Sequence, residues 1–336
     1  MRILIWHVHG SWTTSFVQGP HTYLVPTTPD RGPDGLGRAR TYPWPDRVEE
    51  VPAERLRDTA FDVVVLQRPH ELAFLCEQWT ARRPGRDVPA VYVEHNAPQG
   101  RVNEMRHPAA DRTDVTVVHV THFNDLFWDT GTTRTRVIEH GIVDPGYRYT
   151  GELRRIGVVV NEPIRRARVT GTDLLRRFAA AGPLDVFGMQ VTPLATEGYA
   201  VHDDWPQGRM HAELARRRVY VHPIRWTSLG LSLLEAMHLG MPVVALATTE
   251  VVAAVPEHAG AVATNVDLLV DRCRRLLQEP DEARLAGKAA REAALARYGL
   301  PRFLADWDTL LEEVVAEPNR WRSRVPQSGS YRELSS

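Results

Sequence analysis

Residues 219–245 hold the densest set of side chains suited to binding chemistry. An apolar run ends at His222-Pro223, a short loop carries Thr227 and Ser228, and a second apolar run opens at Gly230-Leu231. That order predicts a strand, a turn and a helix. The first amides of a helix lack intrahelical acceptors, so the backbone of Ser228, Leu229, Gly230 and Leu231 is suited to an anion. Ser228 is expected to cap the helix, and Gly230 to let a bulky anion approach the chain. Glu235, inside the helix, is placed to accept hydrogen bonds from sugar hydroxyls, as the acid of a dinucleotide site does with ribose. Arg165, Arg166 and Arg168 follow another apolar run. They offer planar forks that grip phosphate, the alternative being a solvated basic turn. In the first half, Gly10-Ser11, Arg68 and His95-Asn96 each follow an apolar run. His7 and His9 have no third ligand nearby in the sequence, so no metal is expected there.

These groups need elements to hold them. Residues 3–8, 61–66, 90–93, 115–120 and 137–139 are short runs rich in β-branched residues, most nearly continuous in apolar character. Such runs predict strands buried on both faces of a parallel sheet. Between residues 8 and 61 the Gly, Pro and Asp content predicts long irregular loops. The second half alternates more cleanly. Strands are expected over 156–160, 184–187, 219–222 and 242–246, and helices over 172–181, 209–217, 229–239, 250–255, 266–278 and 282–297. Strands alternating with helices imply right-handed crossovers and a parallel sheet. The reading is therefore α/β, with two Rossmann-like domains, residues 1–148 and 149–300, whose parallel sheets face each other across a cleft. Residues 301–317 form a closing helix and 318–336 a polar, disordered tail. Ligands of open parallel sheets bind at the carboxyl ends of the strands. Two such domains bring one substrate each, for joining two molecules or splitting one.

Composition removes other classes. The 336 residues carry a formal net charge of −1, so no whole-chain basic field draws nucleic acid. Lys288 is the only lysine among 41 basic residues, the arginine bias of a GC-rich, bacterial genome. Cys76 and Cys273 lie far apart, with neither disulfide nor metal-ligand spacing, which suits a reducing cytoplasm. No apolar stretch is long enough to span a bilayer, leaving peripheral membrane contact open. No Gly-x-Gly-x-x-Gly follows the first strand, which argues against a dehydrogenase.

Residues 227–245 resemble the donor-binding signature of retaining GT-B glycosyltransferases of the family-4 type, the glycosyl transferases group 1. That signature has a glutamate, a spacer, a second glutamate, then Ala-Met and Gly-x-Pro-Val-Val-Ala. Glu235, Ala236, Met237, Gly240, Pro242, Val243, Val244 and Ala245 match it, whereas Thr227 stands where the first glutamate would be. The segment Val137-Ile138-Glu139-His140-Gly141-Ile142-Val143-Asp144 resembles the family's interdomain stretch. Residues 289–315 resemble its closing helices, the last of which crosses back onto the N-terminal domain. The resemblance covers most of residues 130–316. It implies a GT-B fold and transfer of a sugar from a nucleoside-diphosphate sugar to an acceptor hydroxyl, with retention and without a metal or other cofactor. Glu235 would bind the ribose, and one or two of Arg165, Arg166 and Arg168 the pyrophosphate. Gly10 and Ser11 would face the donor phosphates and acceptor, and His95 the transferred sugar. Arg68 and Asn96 are acceptor-side candidates. The acceptor is a glycan, a lipid-linked intermediate or a small molecule. Alternatives are a non-catalytic or divergent nucleotide-sugar-binding relative and a nucleotide-sugar epimerase. A sugar phosphorylase would need a pyridoxal-phosphate lysine, for which Lys288 has no matching context.

Overall fold

The computed structural model describes residues 1–316; the tail expected at 318–336 lies outside the described residues. The first half contains β1 (Arg2–Ile5), α1 (Gly10–Phe16), β2 (Thr22–Thr27), β3 (Val48–Pro52), β4 (Val63–Leu66), α2 (Cys76–Thr80), β5 (Ala90–Glu94), β6 (Thr116–His119), α3 (His122–Phe127) and β7 (Arg134–Val137). The second half runs β8 (Leu153–Val159), α4 (Pro163–Arg166), α5 (Leu175–Ala179), β9 (Leu184–Gly188), β10 (Ala200–Asp203), α6 (Gln207–Leu214) and β11 (Arg217–His222). It continues with α7 (Leu231–Leu239), β12 (Val243–Leu246), α8 (Val251–Ala254), β13 (Gly260–Ala263), α9 (Val266–Gln278), α10 (Pro280–Tyr298) and α11 (Leu300–Ala316).

The strands form two wholly parallel sheets. The seven-stranded sheet has the order β3-β2-β1-β4-β5-β6-β7, and the six-stranded one β10-β9-β8-β11-β12-β13. Both reverse direction of winding beside their first strand, between β1 and β4 and between β8 and β11, where open α/β sheets leave a crevice. β4, β5 and β6 are buried along their whole length, as expected for central strands covered on both faces. The sequence reading departs from the structure at five strands. β2 and β3 occupy the region expected to be irregular, because Pro26 and the flanking turn residues mask a buried strand. β7 lies at 134–137 rather than 137–139: it is an edge strand whose Arg134 and Arg136 reach Glu313 of α11. β10 and β13, short and partly exposed, were not anticipated.

The chain crosses between the sheets twice, through residues 138–152 and again at Gly299. The crossings touch: the Ile142 amide donates to the Tyr298 carbonyl at 3.0 Å. After the second crossing α11 returns to the first sheet. Phe303 and Trp307 enter the core there and stand edge-on to Trp12, with Trp307 also against Phe16. In the second half, α10 crosses the end of α7 at Gly287. A Cβ at Gly287 would lie 2.0 Å from the Gly240 carbonyl oxygen. Gly287→Ala is therefore expected to destabilise the protein by about 1–3 kcal/mol through overpacking, against about 1 kcal/mol of helix propensity gained. Urea unfolding of the variant checks the sign, and a gain in stability would show that the two helices can move apart.

Candidate functional site in the cleft between the sheets

The carboxyl ends of the strands face one another across a cleft of about 740 Å³. The segments after β1, β5, β8, β9, β10 and β11 all reach it, so the topology alone collects residues distant in sequence. Its most buried acid is Glu235 on α7, 5% exposed. The Ser11 hydroxyl donates to Oε1 at 2.6 Å and the Gln207 side-chain amide donates to the same oxygen at 3.0 Å. His211 Nε2 stands 3.3 Å from Oε2. Burial pushes the Glu235 carboxyl up, but His211, Ser11 and Gln207 outweigh it and hold the group below its ordinary value. The carboxylate is thus kept ionised and partly free on Oε2.

Around Glu235 the turn before α7 is shaped by close approach. Gly230 is the helix N-cap and packs on His222, where a Cβ would fall 2.4 Å from the imidazole Cε1. Thr227, Leu229, Gly230 and Leu231 line the cleft. Ser228 does not cap α7: its hydroxyl is 3.0 Å from that of Thr121, across the interdomain boundary. The capping position is a glycine, Gly230, which has no side chain to offer, and the hydroxyl two residues earlier serves the interface instead.

The three arginines separate. α4 is a short turn bounded by Glu162 and Ala167, both at positive φ, and this sharp geometry points successive side chains apart. Arg165 lines the cleft edge but is paired with Glu162, its Nε donating at 2.8 Å. Arg166 is half-buried in the cleft wall, and its guanidinium has no hydrogen-bond or ion-pair partner among the described residues. Arg168 faces away, onto a separate hollow, and pairs with Asp173 at 3.2 Å. The sequence could not tell these apart; of the three, Arg165 and Arg166 line the cleft and Arg168 does not.

On the opposite wall, Gly10 and Ser11 form the first turn of α1 rather than a loop. His95 is buried, bonded through Nε2 to the Gln67 side chain at 3.0 Å and packed against His9, the rings tilted by 42° with centres 4.1 Å apart. His140, in the first crossing, also lines the cleft. Burial lowers all three imidazoles: His9 to about 4, with Arg68, Arg166 and His7 adding repulsion; His140 to about 3, with His9 and Arg302 adding to it; and His95 well below its ordinary value. All three are neutral at physiological pH. Asn96 lines the cleft, whereas Arg68 is turned from it and held by Glu71 and Asp34. His7 is bonded to the Gly37 carbonyl at 2.9 Å. Among the described residues no group of three or more His, Cys, Asp or Glu side chains is arranged to hold a metal ion, and no helix is long and apolar enough to cross a membrane. Tyr42, Gln207, His211 and His140 are site residues that sequence reasoning did not select. Only the i, i+4 spacing of Gln207 and His211 on α6 gave a local signal for a shared face.

Comparison with known proteins bears on this geometry. Residues 200–293 match the family model described as glycosyl transferases group 1. No curated protein matches the chain. Sucrose-phosphate synthase from Thermosynechococcus elongatus superimposes with a TM-score of 0.68 and 14% identity, covering 94% of this chain and 99% of that one. Anabaena HepE in complex with UDP and glucose gives a TM-score of 0.67 at 14% identity, over 93% of this chain and 100% of that one. S. aureus TarM, bound to fondaparinux, alpha-GlcNAc-glycerol and UDP, gives 0.58 at 15% identity, over 74% and 55%. The chain therefore has the α/β GT-B fold, and residues 200–293, which contain α7 and Glu235, carry the pattern of the glycosyl transferases group 1.

Proposed function

We propose that the protein is a glycosyltransferase that moves a sugar from a nucleoside-diphosphate sugar to an acceptor hydroxyl, in the cytoplasm. One observation carries the reading: a single cleft presents an ionised, buried carboxylate, Glu235, and an unpartnered, half-buried guanidinium, Arg166. The two suit the two ends of one ligand. Glu235 accepts hydrogen bonds from ribose hydroxyls, with Oε2 the more open oxygen. Arg166 and the amides at the start of α7 bind the pyrophosphate and neutralise the charge that develops on it as the glycosidic bond breaks. This supply of positive charge from the chain itself supports transfer without an obligatory metal, and no cofactor beyond the nucleotide sugar is proposed. The group 1 pattern over α7 and the UDP-bound neighbours support the donor class. Retention rests on the family resemblance. The neutral His95 lies on the opposite wall, where the transferred sugar would meet the acceptor.

The first test is calorimetric titration of UDP, GDP, ADP and TDP, with and without magnesium. One nucleotide is expected to bind, and equally well in both conditions. Arg166→Ala should weaken it by about tenfold or more, as expected for losing a charge-assisted phosphate contact, while leaving the affinity for the bare nucleoside unchanged. No binding of any nucleotide would overturn the reading. A second reading, a non-catalytic nucleotide-sugar-binding protein, is favoured by the uncharged Thr227 in the cleft. Binding of the sugar nucleotide without turnover of any acceptor would decide for it.

A further inference from the structure

The two walls of the cleft differ in one property that bears on the acceptor. Every formally charged side chain lining it belongs to the second half of the chain: Glu162, Arg165, Arg166, Asp204 and Glu235. The facing wall, built from the first half and the first crossing, carries none among the described residues. Its polar groups are Ser11, Thr41, Tyr42, Asn96 and Gln99, together with His9, His95 and His140. Arg68, the arginine of that half that acts on His9, is not among the residues lining the cleft, and its Nε and Nη1 are paired with Glu71 and Asp34.

The imidazoles do not supply charge either. They crowd one another and face Arg68, Arg166 and Arg302, with no carboxylate among the groups acting on them. A neutral imidazole offers one donor and one acceptor, the same pair that a hydroxyl presents. His140 is the most telling of the three. It is 3% exposed, lines the cleft, and among the described residues neither of its ring nitrogens has a hydrogen-bond partner. A buried polar group left in that condition costs free energy unless a ligand satisfies it.

We propose that the acceptor is an uncharged polyhydroxylated molecule, bound to the wall formed by the first half of the chain, with His140 a specificity-determining contact to one of its hydroxyls. A phosphorylated or carboxylated acceptor finds no cation there, and would have to compete with the donor pyrophosphate for Arg166. The assignment rests on the glycosyltransferase reading above and adds the acceptor class to it.

The test uses the whole protein and the sugar nucleotide whose base calorimetry identifies. Release of nucleoside diphosphate is measured with free sugars and alkyl glycosides, and with the same sugars carrying a phosphate or a carboxylate. The uncharged set is expected to be used at least about tenfold better, the discrimination that one unpaired buried charge produces. His140→Phe keeps the ring volume and removes both nitrogens. It should raise the acceptor KM by about tenfold while leaving nucleotide affinity unchanged; a purely structural role for His140 would lower both together. Preference for the charged acceptors, or donor turnover with neither set, overturns the assignment while the donor site stands. Failure to bind any nucleotide overturns the transferase reading and the acceptor class with it.

Discussion

Glu235→Ala is expected to weaken nucleoside-diphosphate binding by about a hundredfold, the largest loss for any single change in the cleft. Hydrogen bonds to a charged group contribute about 1.5–3 kcal/mol each, and every 1.4 kcal/mol is about tenfold in affinity. A ribose presents two adjacent hydroxyls, so more than one such bond is at stake. The structure adds a second expectation. Ser11 and Gln207 both donate to Oε1, so an incoming ribose must use Oε2 or displace one of them. Ser11→Ala should therefore leave the affinity unchanged or raise it, the opposite sign from Glu235→Ala. Glu235→Gln preserves the shape and should fall between. Calorimetry on the three variants, each checked for a native circular dichroism spectrum, separates these outcomes. Wild-type affinity in Glu235→Ala would remove the carboxylate from the donor site.

The second large effect concerns acid. His119, His140 and His222 are all 3% exposed or less, and burial lowers them to about 4, about 3 and about 3. Unfolded, each imidazole returns to its ordinary value near 6.5. Between the folded and unfolded values the unfolded chain binds more protons, so stability is fully present above pH 6.5 and is lost as pH falls below it. Each such group costs up to about 1.4 kcal/mol per pH unit across that window. From pH 7 to pH 5 three of them amount to on the order of 6 kcal/mol, comparable to the whole stability of an ordinary domain. His9 and His95 push in the same direction. Urea unfolding at pH 7, 6 and 5 should show the midpoint dropping steeply. His222→Gln, which has no proton to gain, should flatten the slope by its share. An unchanged midpoint down to pH 5 would mean that the cores admit charged imidazoles.

Much of the architecture was legible because a central parallel strand has to be apolar on both faces. β4 announces itself as an unbroken apolar run, and β6 and β11 as short runs rich in β-branched residues. The helix expected over 266–278 coincides with α9, where Asn265 caps the first turn and apolar residues recur on one face. Edge position defeats this logic. β7 and β10 are half-solvated and read as polar, and β2 hides behind Pro26. The site divides on the same line. Gly230 and Glu235 belong to one turn and one helix, so their relation is local and visible as spacing. Gln207 and His211 share one helix, α6, and reach Glu235 through packing within the second half, whereas Tyr42 comes from a loop that only the facing of the two sheets brings to the cleft. Arg166 and Arg168 are chemically identical, and what distinguishes them is the positive φ of Glu162 and Ala167, which no composition signals.

The return of α11 has a consequence for how the chain is made. The first sheet consists of residues 2–137, yet its core is closed by Phe303, Trp307, Leu310 and Leu311. The second sheet and the helices that cover it lie within residues 153–298, an unbroken stretch. On a ribosome the first half emerges first, with Trp12 and Phe16 lacking Phe303 and Trp307 until α11 is out. The order of synthesis and the order of completion are therefore reversed: the N-terminal layer waits, exposed, while the one translated after it folds. A nascent chain stalled before residue 300 would carry a finished C-terminal half and an open N-terminal one, and that open face is where a chaperone would be needed.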